Sequence, residues 1–345
     1  MDRRHAVTPA AQLSVIIPTL NEAAALPSLL AQLRRQRGIE LELIVADGGS
    51  DDATADIAVA HGAVVVHSVR GRGRQMNAAA YSADAGHLLF LHADSRLDHD
   101  EQLRQALDAV VTADTGDGPI AGHFALQFER SQPGHESLYR FMQGKTASNR
   151  RYTINGDQGL LISRQHFVDL GGFDESLSIL EDQRIAARIF ERGRWLLLPG
   201  VLHTSARRFE SEGHVPRYQL MAVMMALHDA GLLEFFSAAP EVYAQQRHAR
   251  TLDLTPFRRL ILQLLRARGA AGAIAVIYRC GRFTRRNAWQ LAYALDLRRD
   301  DGRTPRLHAF DRYIAPLINH PPADAITGLL IAGWFFGLLP LQRGL

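Results

Sequence analysis

Four short apolar runs, each closed by a cluster of proline, glycine or polar residues, constrain what this chain can fold into. Ser14-Val15-Ile16-Ile17-Pro18 is the first, and Leu41-Glu42-Leu43-Ile44-Val45-Ala46, running into Asp47-Gly48-Gly49, is the second. Runs of this length read as strands buried on both faces. Between them Leu26, Leu29, Leu30 and Leu33 recur at helical spacing, and Arg34, Arg35 and Arg37 precede Gly38 as at a helix C-terminus. The unit then repeats. A helix capped by Asp51 or Asp52 runs to Ala60, a third strand covers Ala63–Val66, and a fourth, His87–Leu91, follows an alanine-rich helix. Strands alternating with helices predict an α/β fold with a doubly wound, mostly parallel sheet.

Beyond the fourth strand the pattern changes. Ile120–Glu129 alternates as a strand, and Ser131–Gly156 has no clear periodicity and reads as a loop-rich insertion. Regular signal returns with a strand over Leu160–Ser163, a helix around Gln165–Leu170, the turn Gly171-Gly172-Phe173 and a helix over Glu181–Arg192. After about Glu210 the chain reads as a helical C-terminal region, so the expected division is 11–210 and 211–345.

With 345 residues, 47% of them hydrophobic and 22% charged, a sizeable core can be buried and disorder is not the default. The single cysteine excludes an intramolecular disulfide, and residues 1–11 lack the apolar segment of a secretory signal, so a cytoplasmic setting is expected. A formal charge of +3 over this length gives no reason to expect nucleic acid.

Ligands of open α/β sheets bind at the carboxyl ends of the strands, so the polar residues that end these runs should converge. They are Pro18-Thr19-Leu20-Asn21-Glu22, Asp47-Gly48-Gly49-Ser50-Asp51, Gly71-Arg72-Gly73-Arg74-Gln75-Met76-Asn77 and His92-Ala93-Asp94. Each has an ordinary local reading: Asp-Gly-Gly is a common turn, Asn21-Glu22 suits a helix start, and the arginines suit a solvated loop. Their order resembles family 2 glycosyltransferases, whose strands end in P-x-x-N-E, D-G-S-x-D, R-x-x-N and D-x-D segments. The resemblance covers about Leu13 to Arg208.

It implies a GT-A fold, Rossmann-like with a mostly parallel sheet flanked by helices, and an inverting, metal-assisted transfer from a nucleoside diphosphate sugar, UDP-linked, to a hydroxyl acceptor. By the same resemblance Pro18, Thr19, Asn21 and Glu22 line the base and ribose side, Asp47 contacts the base, and Gly48 and Gly49 admit close backbone approach. Arg74 and Asn77 belong to the diphosphate side, and Asp94 matches the second acid of D-x-D. The first acid is replaced by His92, a form that resembles a bacterial branch of the family named after arsenosugar biosynthesis. The expected ion is Mn²⁺ or Mg²⁺, imidazole favouring Mn²⁺, with Asp94, His92 and His203 as ligands. His92 and His203 read equally as structural histidines.

Leu180-Glu181-Asp182-Gln183 matches the family's general-base segment, which gives Asp182 the proton and Glu181 a supporting role. Asn155-Gly156-Asp157-Gln158 resembles the segment on the acceptor side and reads otherwise as a tight turn.

Two other functions stay open on sequence. A nucleotidyltransferase shares such a sheet but needs a glycine-rich, lysine-bearing loop after the first strand, which Pro18–Glu22 is not. A nucleotide-sugar-binding or membrane scaffold without transfer activity is consistent with His92 and the basic tail. In that tail, Phe257, Leu260, Ile261, Leu264 and Leu265 fall on one helical face opposite arginines. This amphipathic helix either packs within the protein or lies on an anionic membrane surface, assisted by Trp289 and the apolar run Ala325–Leu341.

Overall fold

The computed structural model describes residues 11–177, 179–246, 251–299 and 302–339. Two compact units emerge, one reaching Glu129 and resuming over Met142–Ser205, the other made of Arg130–Phe141 and the chain from Ala206 onward.

The first unit is built on a mixed sheet of eight strands. In chain order its elements are β1 (Leu13–Thr19), α1 (Leu26–Arg34), β2 (Leu41–Asp47), α2 (Thr54–Ala60), β3 (Val64–His67), α3 (Arg72–Ser82), β4 (His87–Phe90) and β5 (Arg96–Leu97). There follow α4 (Gln102–Ala113), β6 (Ile120–Glu129), α5 (Glu136–Thr146), whose residues Glu136–Phe141 belong to the second unit, β7 (Leu160–Ser163), α6 (Arg164–Asp169), α7 (Glu181–Arg192) and β8 (Arg194–Ser205). The strand order is β3-β2-β1-β4-β7-β6-β8-β5. β1 to β4 are mutually parallel, as the βα alternation requires. β7 enters antiparallel between β4 and β6, while β6 and β8 run parallel to each other.

Strand periodicity decides which helices cover which face. Along β1, Val15 and Ile17 join one core with Leu26, Leu29, Leu30 and Leu33 of α1 and Leu103 and Leu107 of α4. Ile16 joins the other, with Met76 and Ala79 of α3, Phe167 of α6 and Ile185 and Ile189 of α7. Both faces of the sheet are therefore buried, which is why the strands read as continuous apolar runs.

Two local expectations need correction. The stretch Ser131–Gly156 is not simply a loop, because Glu136–Thr146 forms the helix α5. Asp51 does not cap α2. Asp52 lies just ahead of that helix and accepts hydrogen bonds from the Thr54 amide (3.0 Å) and the Ala23 amide (3.2 Å), joining it to the loop after β1.

The second unit is helical: α8 (Arg207–Glu212), α9 (His214–Ala230), α10 (Glu234–Ala244), α11 (Thr255–Ala267), α12 (Gly269–Arg286) and α13 (Trp289–Asp296). The chain continues through α14 (Pro305–Ala309), a π-helical turn over Phe310–Ile314, α15 (Ala315–Ile318), α16 (Pro321–Gly333) and a second π-helical turn over Trp334–Leu338. The amphipathic helix foreseen over Pro256–Arg268 is α11, and its apolar face is turned inward. Phe257, Ile261 and Leu265 are buried, with Phe257 6.4 Å from the Phe235 ring of α10. Burial within the protein thus takes the face that would otherwise meet lipid. Pro340 and Leu341, the end of the apolar run, lie outside the described residues.

α12 and α16 cross at their glycines. A Cβ on Gly281 would meet the Gly328 backbone at 2.4 Å, so the two backbones are in direct contact. Beside this crossing Arg285 of α12 is paired with Asp324 of α16, both almost wholly buried, and the Tyr278 hydroxyl donates to the same carboxylate at 3.3 Å. Removing one member of a buried pair strands the other charge, at a cost of about 3–5 kcal/mol. Asp324→Ala is expected to lower the urea unfolding free energy by about that amount, and Asp324→Ala combined with Arg285→Met to recover much of it.

Candidate active site

Because β1, β2, β3 and β4 run parallel, their carboxyl ends lie along one edge, and the polar segments named above meet there. The loops after β1 and β2 are clasped together. The Asn21 amide donates to Ser50 Oγ at 2.9 Å, the Asp51 amide donates to Asn21 Oδ1 at 2.8 Å, and the Glu22 amide donates to Thr54 Oγ1 at 2.9 Å. Asn21 sits at φ 57°, a left-handed position that asparagine tolerates better than most residues.

Asp47 is buried, and its carboxylate is engaged by its own loop. Oδ2 accepts from the Gly49 and Ser50 amides at 3.0 Å each, Oδ1 from Ser50 Oγ at 2.5 Å, and His67 Nδ1 lies 3.7 Å away. Burial raises the cost of its charge, but the Ser50 and Gly49 hydrogen bonds and His67 outweigh it and hold its pKa below the ordinary aspartate value. In this arrangement Asp47 shapes the Gly48–Ser50 turn rather than reaching outward to a base.

Gln75 was not singled out in sequence, yet it joins the ends of β1 and β2. Its side-chain amide donates to the Thr19 carbonyl at 2.7 Å and the Ala46 carbonyl at 2.8 Å. A Cβ on Gly48 would lie 2.9 Å from that amide, so glycine is required there by close approach. Asn77 is likewise internal. It donates to the Phe173 carbonyl (3.0 Å) and to Glu175 (2.9 Å) and accepts from the Phe173 amide (3.0 Å), which pins α3 to the Gly171–Phe173 turn. Asn77, expected on the diphosphate side, thus uses its amide as a strut within the protein. Arg72 and Arg74 do not lie in a mobile loop; they belong to the first turn of α3, which starts after Gly71 at φ 144°. Arg74 is exposed, and Arg72 lies 3.4 Å from Glu181.

Glu181 and Asp182 occupy the first turn of α7, preceded by Leu180 in the left-handed region at φ 64°. Strained backbone of this kind collects at functional sites. Asp182 Oδ2 accepts from the Gly156 amide at 2.6 Å, so the segment Asn155–Gln158 is brought onto the candidate base as the sequence suggested. Burial pushes the Asp182 carboxyl above the ordinary aspartate value, although the Gly156 bond, Arg72 and His92 oppose it. Burial likewise raises Glu181, with Arg72 opposing and Asp182 adding to the rise. Glu181 Oε2 is buried and has no hydrogen-bond partner. That oxygen borders a pocket lined by His92, Asn155, Gly156, Asp182, Phe173 and Trp195, among others.

Within the Asn155–Gln158 segment the roles divide. Asn155 and Gln158 form a reciprocal cap, and the Gln158 amide donates to the Thr146 carbonyl at 3.1 Å and bonds to His123 Nδ1 at 3.0 Å. Wholly buried, Gln158 holds the segment and does not reach an acceptor. Asp157 instead meets His92, whose Nδ1 lies 2.8 Å from its carboxylate.

The three residues expected to hold a metal are not gathered as a set. His92 turns to Asp157, and His203 Nε2 turns to Asp98 at 3.4 Å. Among the described residues no three His, Cys, Asp or Glu side chains are grouped to hold an ion. Asp94 is half-buried and takes no hydrogen bond or ion-pair partner among the described residues.

Comparison with known proteins finds similarity to glycosyltransferases. Residues 14–169 match the family described as Glycosyl transferase family 2. That stretch, just under half of the chain, is similar to family 2 glycosyltransferases. The chain is 40% identical over 95 residues to a PGL/p-HBAD biosynthesis glycosyltransferase of Mycobacterium bovis, a match that covers 26% of this chain and 37% of that protein. It is 24% identical over 198 residues to the O-antigen chain rhamnosyltransferase RfbN of Salmonella typhimurium, covering 53% of this chain and 62% of that one. A crystal structure of S. aureus TarS residues 1–349 in complex with UDP overlaps 87% of this chain and 91% of its own, at 19% identity and a TM-score of 0.48.

The direction of the Asp182 shift has a measurable consequence. A carboxyl whose pKa is higher folded than unfolded binds more protons in the folded state between the two values, so the fold loses stability as pH rises through that window. Asp182→Asn removes this loss. The variant is expected to melt at or above the wild type at pH 8, with its relative advantage shrinking as pH falls from the raised Asp182 value toward the ordinary aspartate value and no longer changing below it, read by calorimetry.

Proposed function

We propose that this chain transfers a sugar, with inversion, from a nucleoside diphosphate sugar, UDP-linked, to a hydroxyl acceptor. The observation that carries the reading is the Glu181–Asp182 pair at the head of α7, which lines a pocket together with His92 after β4 and Asn155 and Gly156. Asp182 takes the acceptor proton. Burial raises its pKa above the ordinary aspartate value, the direction that makes it a stronger general base. The Gly156 amide fixes which carboxylate oxygen stays in place, leaving the other for the acceptor. Glu181 Oε2, buried and unpartnered, accepts from a hydroxyl of the bound sugar or acceptor.

On the donor side the clasped loops Thr19–Glu22 and Asp47–Ser50 receive the nucleoside, with Pro18 at the end of β1 and Gly48 and Gly49 giving backbone access. Arg74, exposed in the first turn of α3, is placed for the diphosphate, where backbone amides of a helix start also favour negative charge. Asp94 is the residue available to a divalent ion, Mn²⁺ or Mg²⁺, which would supply positive charge against the leaving diphosphate. The His92-Ala93-Asp94 form supports a place in the branch named after arsenosugar biosynthesis. We assign the protein to the cytoplasm, with its second unit at the inner face of a membrane.

A thermal-shift panel of UDP-, GDP- and dTDP-sugars, each with Mn²⁺, Mg²⁺ or EDTA, identifies the donor, because a ligand bound only by the folded state raises its melting temperature. With that donor, Asp94→Asn is expected to weaken binding in Mn²⁺ but not in EDTA. Asp182→Asn should keep donor affinity while transfer falls by about 10²-fold or more. Normal turnover by Asp182→Asn would move the base elsewhere, and unchanged donor affinity of Asp94→Asn in Mn²⁺ would remove Asp94 from the donor site.

A further inference from the structure

The inward face of α16 is marked by Asp324, Gly328 and, in the π-helical turn beyond it, Phe335, all buried. With that face spent on α12, nothing among the described residues covers the other side of the helix. Ile326, Leu329 and Leu330 are 59%, 70% and 68% exposed, and Leu338 is exposed beyond them. Just before α16 the chain presents Tyr313, Ile314 and, 74% exposed, Leu317 in the same way. Isolated exposed leucines are ordinary, but so many large aliphatic residues on consecutive turns form a patch of the kind that marks an interaction surface.

Two features indicate what occupies it. Between Ala325 and Leu338 only Thr327 and the Trp334 indole carry a side-chain hydrogen-bonding group, so a protein partner would find little to hydrogen-bond. Directly beside the patch lies an open cleft of about 400 Å³ whose walls are apolar, from Phe310, Ala315, Pro316 and Ile318, and whose basic groups are Arg285 and the exposed Arg286, with Asp311 also at its wall. Arg285 is already paired with Asp324, which leaves Arg286 as the outward cation of the cleft. Arg312, next to Tyr313 in the π-helical turn, is exposed as well, whereas Arg306 is paired with Asp296 at 3.5 Å. An apolar ridge next to a basic cleft with apolar walls matches an anionic phospholipid: acyl region against the leucines, phosphate against Arg286.

We infer that the face formed by the π-helical turn Phe310–Ile314, α15 and the outer side of α16 binds an anionic lipid surface lying along it, and that α11 does not. This deepens the peripheral attachment proposed above and is independent of the transfer reaction. The helical stretch Pro321–Leu338 is long and apolar enough, by length and composition, to cross a membrane. The glycine crossing and the buried Arg285–Asp324 pair on its inner side instead hold it against α12.

The test is sedimentation of the full chain with vesicles of phosphatidylcholine alone or mixed with phosphatidylglycerol. Wild type is expected to favour the anionic vesicles, with high salt removing only part of the binding, because charge attraction is screened and aliphatic insertion is not. Leu329→Glu with Leu330→Glu, both at exposed positions, should lower binding to both vesicle types by tenfold or more without moving the melting temperature. Arg286→Ala should lower only the preference for anionic vesicles. Full binding by the leucine variant would overturn the assignment of this face while leaving peripheral attachment standing. No binding by the wild type would overturn both, and neither result touches sugar transfer. Wild-type dimers in light scattering that the leucine variant dissociates would reassign the ridge to a second copy of the chain and likewise overturn the inference.

Discussion

The site depends first on how the chain secures the ends of β1 and β2. A parallel strand that stops leaves backbone carbonyls and amides without ladder partners, and buried groups of that kind cost about 1–3 kcal/mol each when unpaired. Here Gln75 reaches back from α3 to the Thr19 and Ala46 carbonyls, and the Gly48 amide donates to the same Thr19 carbonyl at 3.0 Å. Asp47 gathers the amides of the next turn. The result is a rim whose shape is set by internal bonds before any ligand arrives. Such preorganisation is what recognition of a flexible nucleotide demands, since every loop ordered on binding would subtract from affinity.

The second arrangement is electrostatic. Two adjacent carboxylates and a third, Asp157, surround a region reached by Arg72 and His92, and both Glu181 and Asp182 have raised pKa values because burial outweighs their cationic neighbours. The start of a helix ordinarily favours negative charge, so α7 alone would push the other way. Desolvation wins because Glu181 is 1% exposed. This opposition separates the pair from an ordinary acidic first turn: a helix that needed only stability would leave its acids in water. Leu180, left-handed without being glycine, supports the same conclusion, because the strain is spent on aiming these two side chains.

How much of this was legible in the sequence follows from the range of the interaction involved. The sheet could be read because burial on both faces makes each strand a continuous apolar run, a local signal. The order of the strand-end motifs could be read too, and the structure brings Asn21, Asp51, Gly156 and Asp182 into the contacts described. Side-chain reach was not legible. Asn77 and Phe173 are separated by 96 residues and Gln75 and Thr19 by 56, and nothing near either polar residue announces a buried strut. Polar residues beside a motif invite a ligand role, and Asn77 and Gln158 turn out to spend their amides inside the protein. His92 and His203 follow the same logic, since each has a carboxylate near at hand. The helix α5 escaped because its apolar residues, Leu138, Tyr139, Phe141 and Met142, sit among enough polar ones to blur a single stripe.

Amphipathicity shows the limit of sequence reading in its clearest form. The stripe on α11 is a genuine apolar face, and periodicity located it correctly, but periodicity cannot say whether protein or lipid covers such a face. In α16 the signal is inverted. The helix is apolar nearly all round, so no stripe stands out, and its inner face is identified by Gly328 and Asp324 rather than by leucine. Glycine lets α12 approach to backbone contact, and a buried ion pair takes the position where a large aliphatic side chain would ordinarily fill the gap. The large aliphatics are thereby left to the outside. A helix that hides its smallest and most polar residues and shows its leucines reverses the usual distribution of a soluble surface, and it is on that reversal, together with the cleft at Arg286, that the inferred lipid contact of the second unit rests.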